Sequence, residues 1–438
     1  MSDPRVLLVP GGTGIGAVAL AHAAIHKIVE LRAERLADPD HRAPHTIAVV
    51  RDPALVPPSS LRTAAMGLEE AFPADAFPEV VPHLGDPAFW RGVDLVLATS
   101  GSTAGRPRLV GLSVEALVAS AKATHDVLGG PGKWILALPA HHVGGAMVLV
   151  RAAVAEIAPQ VVDISAGFSP LDLLPALRGA TQDPDLPGYL SLVPVQLRAC
   201  LEGPDEVLDE MAKLRAILVG GSGLDPTMLR AARERGLAIV QTYGMTETCG
   251  GCVYDGRPLP GTSVRTVEVD RTKRLTISGP MLFTRYLDAE APFLDEGGRR
   301  WLVTGDLGRI NAGGMVEVLG RADDVIISGG LNIAPAPVRN AVNSMPGVLD
   351  SWVLGSPDAR WGQVVTAIVV PRAPVAEVDP DSFGQAVRDH VGSLLGRPQA
   401  PRRVVVADSL PQLPTGKIDR RALRHFVEDE AAVREWRR

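Results

Sequence analysis

The sequence predicts an α/β protein: a large N-terminal domain of parallel βαβ sheets with a β-rich part, followed by a small α+β domain. Three observations predict it. As far as Gln241, short apolar runs of strand length alternate with longer stretches of helical periodicity. Between Leu275 and Leu319 the apolar runs follow one another without intervening helices. Beyond Gly320–Asp324 the alternation resumes on the scale of one small domain, so the boundary falls between residues 1–320 and 321–438.

In order, Val6 to Val9 reads as a strand and Ala17 to Leu36 as a long helix. Ala54 to Pro87, rich in Pro, Ala and acidic residues, reads as an irregular connection. Val93 to Ala98, Trp134 to Leu138, Tyr189 to Val193, Ala216 to Val219 and Ala238 to Gln241 are further strands. Ser113 to Leu128, Gly145 to Ala155 and Pro226 to Arg235 carry helical spacing between them. Such alternation favours parallel strands with helices on both faces of a sheet. Leu275 to Ile277, Trp301 to Val303 and Met315 to Leu319 form the β-rich part. The last domain reads helix (Ala336 to Asn343), two strands (Asp350 to Leu354, Val364 to Val370), helix (Asp381 to Leu395) and strand (Arg403 to Val406).

The 438 residues are enough for a large core and more than one domain, and the net charge of −6 argues against a general nucleic-acid binder. No apolar stretch reaches membrane-spanning length and the first residues lack a signal-peptide pattern. Three cysteines make no disulfide framework, so the expected compartment is the reducing cytoplasm. Cys249 and Cys252 form one CxxC without two further ligands at zinc spacing, and read as small residues beside a loop. Gly11-Gly12-Thr13-Gly14-Ile15-Gly16 follows a strand and opens a helix, as a dinucleotide site would. Its acidic partner is missing from His45 to Arg51, so it reads as a structural turn.

The chemistry lies in a series of polar motifs. Thr99-Ser100-Gly101-Ser102-Thr103-Ala104-Gly105-Arg106-Pro107-Arg108 follows a strand and offers backbone N–H groups, hydroxyls and two guanidiniums to a polyanion. Then come Gln241-Thr242-Tyr243-Gly244-Met245-Thr246-Glu247, Thr304-Gly305-Asp306-Leu307, Gly320-Arg321-Ala322-Asp323-Asp324 and Ser328-Gly329-Gly330-Leu331-Asn332-Ile333. Pro414-Thr415-Gly416-Lys417-Ile418-Asp419 is the last. In this order they resemble the adenylate-forming superfamily of acyl-CoA synthetases, luciferases and nonribosomal adenylation domains.

That resemblance implies a mobile C-terminal domain, the cofactor ATP with Mg2+, and CoA as co-substrate. It implies that Thr99, Ser100, Gly101, Ser102, Thr103, Gly105 and Arg108 hold the phosphates. Ala104 stands where the family commonly has glycine, and Arg108 where it has lysine, which keeps the charge and changes the donor geometry. Glu247 matches the magnesium-bound carboxylate, Thr246 a donor to the α-phosphate and Tyr243 the residue against adenine. Asp306 matches the acceptor of both ribose hydroxyls, with Arg321 its basic neighbour. Gly221 and Ser222 belong to a loop open to adenine or the acyl group. Lys417 matches the lysine over the reacting carboxylate, Asp323 the hinge, and Gly329 and Gly330 a hairpin lining the pantetheine tunnel.

Leu138 to Arg151, containing His141-His142-Val143-Gly144-Gly145, and Ser191 to Leu197 narrow the resemblance. With the short N-terminal domain, they look like the o-succinylbenzoate–CoA ligase family of menaquinone biosynthesis. The implied partners are a small carboxylic acid, ATP and CoA, with His142 gating the acyl pocket; homo-oligomerisation stays open. The second carboxylate of that acid needs a cation or N–H donors, for which Arg198 and Arg151 are the candidates. Another aryl- or acyl-CoA ligase, an amide-forming relative, and a non-catalytic nucleotide binder are the alternatives. Intact Glu247, Asp306, Arg321 and Lys417 argue against the last.

Overall fold

The computed structural model describes residues 4–38, 44–56, 65–99, 107–270, 272–412, 418–428 and 434–438. The chain divides into two compact units: Met1–Gly221, Ala232–Val264 and Ile277–Leu302 in one, and Ser222–Ala231, Arg265–Thr276 and Val303–Arg438 in the other.

The first unit holds two sheets. In one, β1 (Arg5–Pro10), β2 (Thr46–Arg51) and β3 (Leu95–Ala98) run parallel, and β4 (Leu109–Leu112) returns antiparallel to β3. A two-residue strand, Arg285–Tyr286, pairs with β4. In the other, β5 (Lys133–Leu136), β6 (Gln160–Val161), β7 (Gly188–Leu192), β8 (Ala216–Val219) and β9 (Ile239–Met245) are parallel in the order β6-β5-β7-β8-β9. The antiparallel strands β10 (Gly250–Tyr254) and β11 (Arg257–Pro258) complete it. Their apolar runs are continuous, as strands covered on both faces require.

The helices α1 (Ile15–Ala37), α2 (Leu68–Ala71), α3 (Val114–Leu128), α4 (Val143–Ala155), α5 (Leu174–Thr181), α6 (Pro194–Leu201) and α7 (Asp205–Met211) belong to this unit. Helices α1, α3 and α4 pack on one another, α1 also against β1 and β2 and α4 against β5, which makes them the layer between the sheets. The sequence of α4 suits that place: every residue from Gly145 to Ala153 is buried, an apolar helix covered all round. Ser113 caps α3 by accepting from the Ala116 N–H, and Gly129, at φ 99°, ends it.

The Gly11–Gly16 segment is a turn packed on a histidine. A Cβ on Gly11 would lie 2.5 Å from that of His141, and the Gly12 N–H donates to His141 Nδ1 at 3.0 Å. The long helix and short strands read from the sequence all form, with boundaries shifted by a few residues. Several elements do not stand out in the sequence: β4, whose four residues include a glycine, and the short helices α5 to α7.

The second unit contains the antiparallel pair Asp306–Ile310 with Val316–Arg321 and a six-stranded sheet. Alternation along Gly362–Pro371 builds two cores there. Val365, Ala367 and Val369 join Val338, Val342, Val387 and Val391 from the helices Pro335–Asn343 and Pro380–Leu395. Ile368 and Val370 face the other way, onto Leu423 and Val427 of the helix Arg420–Glu428. Among the described residues no helix is long and apolar enough to cross a membrane. All three cysteines are free and buried.

His125 on α3 sets a pH dependence. It is 4% exposed, its Nε2 has no hydrogen-bond partner among the described residues, and burial, helped by the charge of Arg151, lowers its pKa to about 4. The unfolded chain therefore binds a proton that the fold refuses. Stability is expected to fall as pH drops from about 6.5 toward 4, by about 3 kcal/mol at most for this group. Urea titrations across that range check it: His125→Gln should show a shallower loss, and equal slopes would contradict the assignment.

Candidate active site

The parallel strands β5, β7, β8 and β9 end at one edge of their sheet, where ligands of open α/β sheets bind. The segments that leave this edge carry much of the polar chemistry. Beyond β9 the chain makes a single turn, Thr246–Thr248, and returns as β10. The hairpin closes because Gly244 faces Gly251 without side chains between them. A Cβ on Gly244 would lie 2.0 Å from the Gly250 carbonyl oxygen. Thr248, fully buried, ties the turn: its hydroxyl accepts from the Met245 N–H at 2.9 Å and donates to the Gly250 carbonyl at 2.7 Å. Thr246 is buried, whereas Glu247 and, on β9, Tyr243 are half-buried. Cys249 and Cys252 flank the turn's exit, their thiols pushed up by burial, Cys252 to about 12.

Glu247 is held from the first sheet. Its carbonyl accepts from the Phe283 N–H at 2.9 Å, and its Oε1 accepts from the Tyr286 hydroxyl at 2.6 Å. Burial, then the Glu247 charge, raise the Tyr286 phenol above its ordinary range, so it stays a protonated donor. Arg108 lies over the same ring, 5.0 Å from its centre, and its charge acts in the opposite sense. Among the described residues no hydrogen bond reaches the second Glu247 oxygen. A carboxylate with one oxygen anchored and one open suits a hard divalent cation that keeps waters and phosphate oxygens as its other ligands. No three His, Cys, Asp or Glu side chains converge among the described residues.

Thr99 and Arg108 close the base of the polar loop. The Thr99 N–H donates to the Arg108 carbonyl and the Arg108 N–H to the Thr99 hydroxyl, both at 2.9 Å. Ser100, Gly101, Ser102, Thr103 and Gly105 lie outside the described residues.

The rings of His141 and His142 lie 4.3 Å apart, tilted by 55°, where α4 begins. Burial lowers the His141 pKa, in keeping with its role as acceptor for Gly12. His142 is the residue preceding the first turn of α4 and is half-buried. The two arginine candidates separate. Arg151 is 3% exposed, over the ring of Trp134 at 4.7 Å, with Nε unpartnered among the described residues and its pKa lowered by burial. It lies nine residues down α4 from His142, about 13 Å from the sheet edge at 1.5 Å per residue. Arg198 is half-buried in α6, the helix that leaves β7 at that edge. Gln196 fastens that helix by accepting from the Val193 N–H and donating to the Ala137 carbonyl. Gly221, at φ 82°, and Ser222 follow β8 and are exposed.

In the second unit, Asp306 is buried and Arg321, its cross-strand neighbour, approaches its carboxylate at 3.5 Å. Arg321 also reaches Asp323 at 3.7 Å. Asp324 pairs with Arg420 at 2.6 Å, although burial outweighs that attraction and raises its pKa. Lys417 lies outside the described residues; the ends of its loop meet at the bridge between Gln412 and Ile418. Gly329 and Gly330 form a positive-φ turn. The indole of Trp361 covers it so closely that a Cβ on Gly329 would lie 2.6 Å from the ring. Arg402 and Arg360 stack on that indole at 4.3 and 5.2 Å. Nothing in the sequence singles out Tyr286 or Trp361, single aromatics outside any polar motif.

The model of the AMP-binding enzyme family matches residues 2–287, and that of the AMP-binding enzyme C-terminal domain matches residues 338–417. A probable 2-succinylbenzoate–CoA ligase of Mycobacterium tuberculosis (strain CDC 1551 / Oshkosh) is 41% identical over 343 residues, 77% of this chain and 86% of that protein. A 2-succinylbenzoate–CoA ligase of Enterococcus faecalis is 27% identical, over 78% of this chain and 71% of that one. Among solved structures, an o-succinylbenzoate CoA synthetase of Bacillus subtilis with a bound acyl-adenylate superposes with a TM-score of 0.67. It shares 24% identity, covering 97% of this chain and 88% of that one.

Gly244→Ala should lower stability by about 2 kcal/mol or more, because the clash is with backbone that cannot turn away. A denaturation midpoint equal to that of the unaltered protein would contradict the hairpin geometry.

Proposed function

This chain belongs to the AMP-binding enzyme family, and we propose that it joins o-succinylbenzoate to CoA through an acyl-adenylate, at the expense of ATP. The observation that carries the choice of acid is the 41% identity to a probable 2-succinylbenzoate–CoA ligase across most of both chains. The geometry around Glu247 supports the chemistry. Magnesium, when bound, offsets phosphate charge and orients the chain of phosphates; Glu247 would hold it through its open oxygen.

The remaining roles belong to the protein. Thr99 and Arg108 hold the ends of the loop that takes the β- and γ-phosphates through Ser100, Gly101, Ser102, Thr103 and Gly105. Thr246 donates to the α-phosphate, Tyr243 lies against adenine, and Asp306, oriented by Arg321, accepts from the ribose hydroxyls. Lys417 supplies positive charge where the acid's carboxylate oxygen attacks the α-phosphorus and pyrophosphate departs. After a rearrangement about Asp323, Gly329 and Gly330 line the path of the pantetheine thiol, whose sulfur displaces AMP from the acyl carbon. We take residues 1–320 and 321–438 as the two parts that change position, with His142 at the acyl pocket between the half-reactions. For the second carboxylate we favour Arg198, because Arg151 is enclosed on Trp134 far down α4. The reducing cytoplasm is our reading of the compartment, supported by three free cysteines.

Lys417→Ala should slow adenylation by ~10²-fold or more, the scale of losing one preorganised charge. It should spare thioester formation from supplied acyl-adenylate; equal loss of both steps would contradict the division of labour. The acid is tested by competition among o-succinylbenzoate, benzoate, a cinnamate-type acid and a medium-chain fatty acid, followed by pyrophosphate release with and without CoA. o-Succinylbenzoate should have the highest kcat/KM, about tenfold above its distal methyl ester, which loses a charge-assisted hydrogen bond. Preference for any of the other three acids would leave only the general acyl-activating chemistry. Turnover that proceeds to an amide and not a thioester would favour the amide-forming alternative.

A further inference from the structure

Arg108, Tyr286 and Glu247 form a connected row that none of the sequence motifs anticipates. Glu247 comes from the turn beyond β9, Tyr286 from the short strand against β4, and Arg108 from the residue preceding β4. The Tyr286 hydroxyl has one acceptor, Glu247 Oε1 at 2.6 Å, and the Arg108 guanidinium lies on its ring. Tyr286 is 6% exposed and packs at 4.8 Å against the ring of Phe283, whose own N–H holds the Glu247 carbonyl. Both the backbone and the side chain of Glu247 are therefore fixed by one short segment, Phe283–Tyr286.

We propose that Tyr286 is a positioning residue for the metal-binding carboxylate: it pins Glu247 Oε1, leaves Oε2 as the single oxygen offered to the cation, and places Arg108 beside it. The proposal rests on the reading of Glu247 as a magnesium residue. An unpinned glutamate would sample several rotamers, only some of which present an oxygen to the phosphates, and each cation bound would have to select one. The hydroxyl removes that cost in advance. It also joins the phosphate-binding arginine to the metal-binding carboxylate through one ring, so that the two charges are held at a set spacing before ATP arrives.

The test uses the full chain, ATP without acid, and Mn2+ as a paramagnetic probe followed by its spin-resonance signal. Tyr286→Phe keeps the ring, its packing and the Arg108 guanidinium over it, and deletes the hydroxyl with its bonds to Glu247 and Arg108. It should weaken Mn2+ binding in the presence of ATP by about tenfold or more, the size of one hydrogen bond to a charged group. Glu247→Gln should weaken it at least as much, and the double variant should be no worse than Glu247→Gln alone, as two residues acting through one contact require. In a separate assay with o-succinylbenzoate added, excess Mg2+ should restore pyrophosphate release in Tyr286→Phe. Mn2+ affinity within twofold of the unaltered protein, or losses that add in the double variant, would overturn the proposal for Tyr286 while leaving Glu247 in place. Unchanged affinity in Glu247→Gln would instead overturn the reading of Glu247 itself. Thermal melting of each variant, with Tyr286→Leu as a second substitution that removes ring and hydroxyl together, separates lost affinity from lost fold.

Discussion

The first unit depends on a close approach of two backbones. At Gly244 and Gly250–Gly251 the β9–β10 hairpin closes with a spacing that no side chain could share. That closure lets the last parallel strand reverse within the four residues Thr246 to Cys249. Thr248 can then satisfy both ends of the turn from inside it, and Glu247 is left facing outward. Because the Phe283 N–H holds the Glu247 carbonyl and the Tyr286 hydroxyl its carboxylate, the turn that leaves the second sheet is fastened to the first. Charges on rigid elements act at transition states without having to be rearranged there, which is the main electrostatic advantage of a folded site.

Much of this was legible in the sequence, and the limits have physical causes. Strands buried on both faces are continuous apolar runs, so β1, β3, β5, β7 and β8 declare themselves. Helices α1, α3 and α4 do so through their spacing. Strand β4 does not, because its Leu-Val-Gly-Leu contains a glycine and follows a polar loop. The site was legible where chemistry requires contiguous residues: Thr246 with Glu247, or Asp306 beside Gly305. It was illegible where the partner arrives from elsewhere in the chain. Tyr286 sits 39 residues from Glu247, in a stretch that looks like ordinary core. Arg151, a candidate for the acid's second carboxylate, is a different case. A cation in an apolar helix invites a ligand, and here its guanidinium is spent on the face of Trp134.

The second unit solves a different problem. Its sheet is covered on both faces, by two helices on one side and by the helix Arg420–Glu428 on the other. Asp419 caps that last helix by accepting from the N–H groups of Arg421 and Ala422. Arg420 then pairs with Asp324, next to the expected hinge at Asp323. A pair whose aspartate is penalised by burial adds little stability. Its value is geometric: it ties the turn at Ala322–Asp324 to the segment that follows the lysine.

The burial of the three thiols has a practical consequence. With the Cys200 and Cys252 thiols pushed up to about 12 and Cys249 higher still, the native cysteines are almost wholly protonated at neutral pH and hidden from solvent. Alkylating reagents attack thiolate, so the unaltered chain is a quiet background for them. A single cysteine introduced on an exposed face would take up a fluorophore or spin label selectively. Conformational changes could thus be followed by dye pairs or by distance spectroscopy without first stripping the protein of residues its core is packed around.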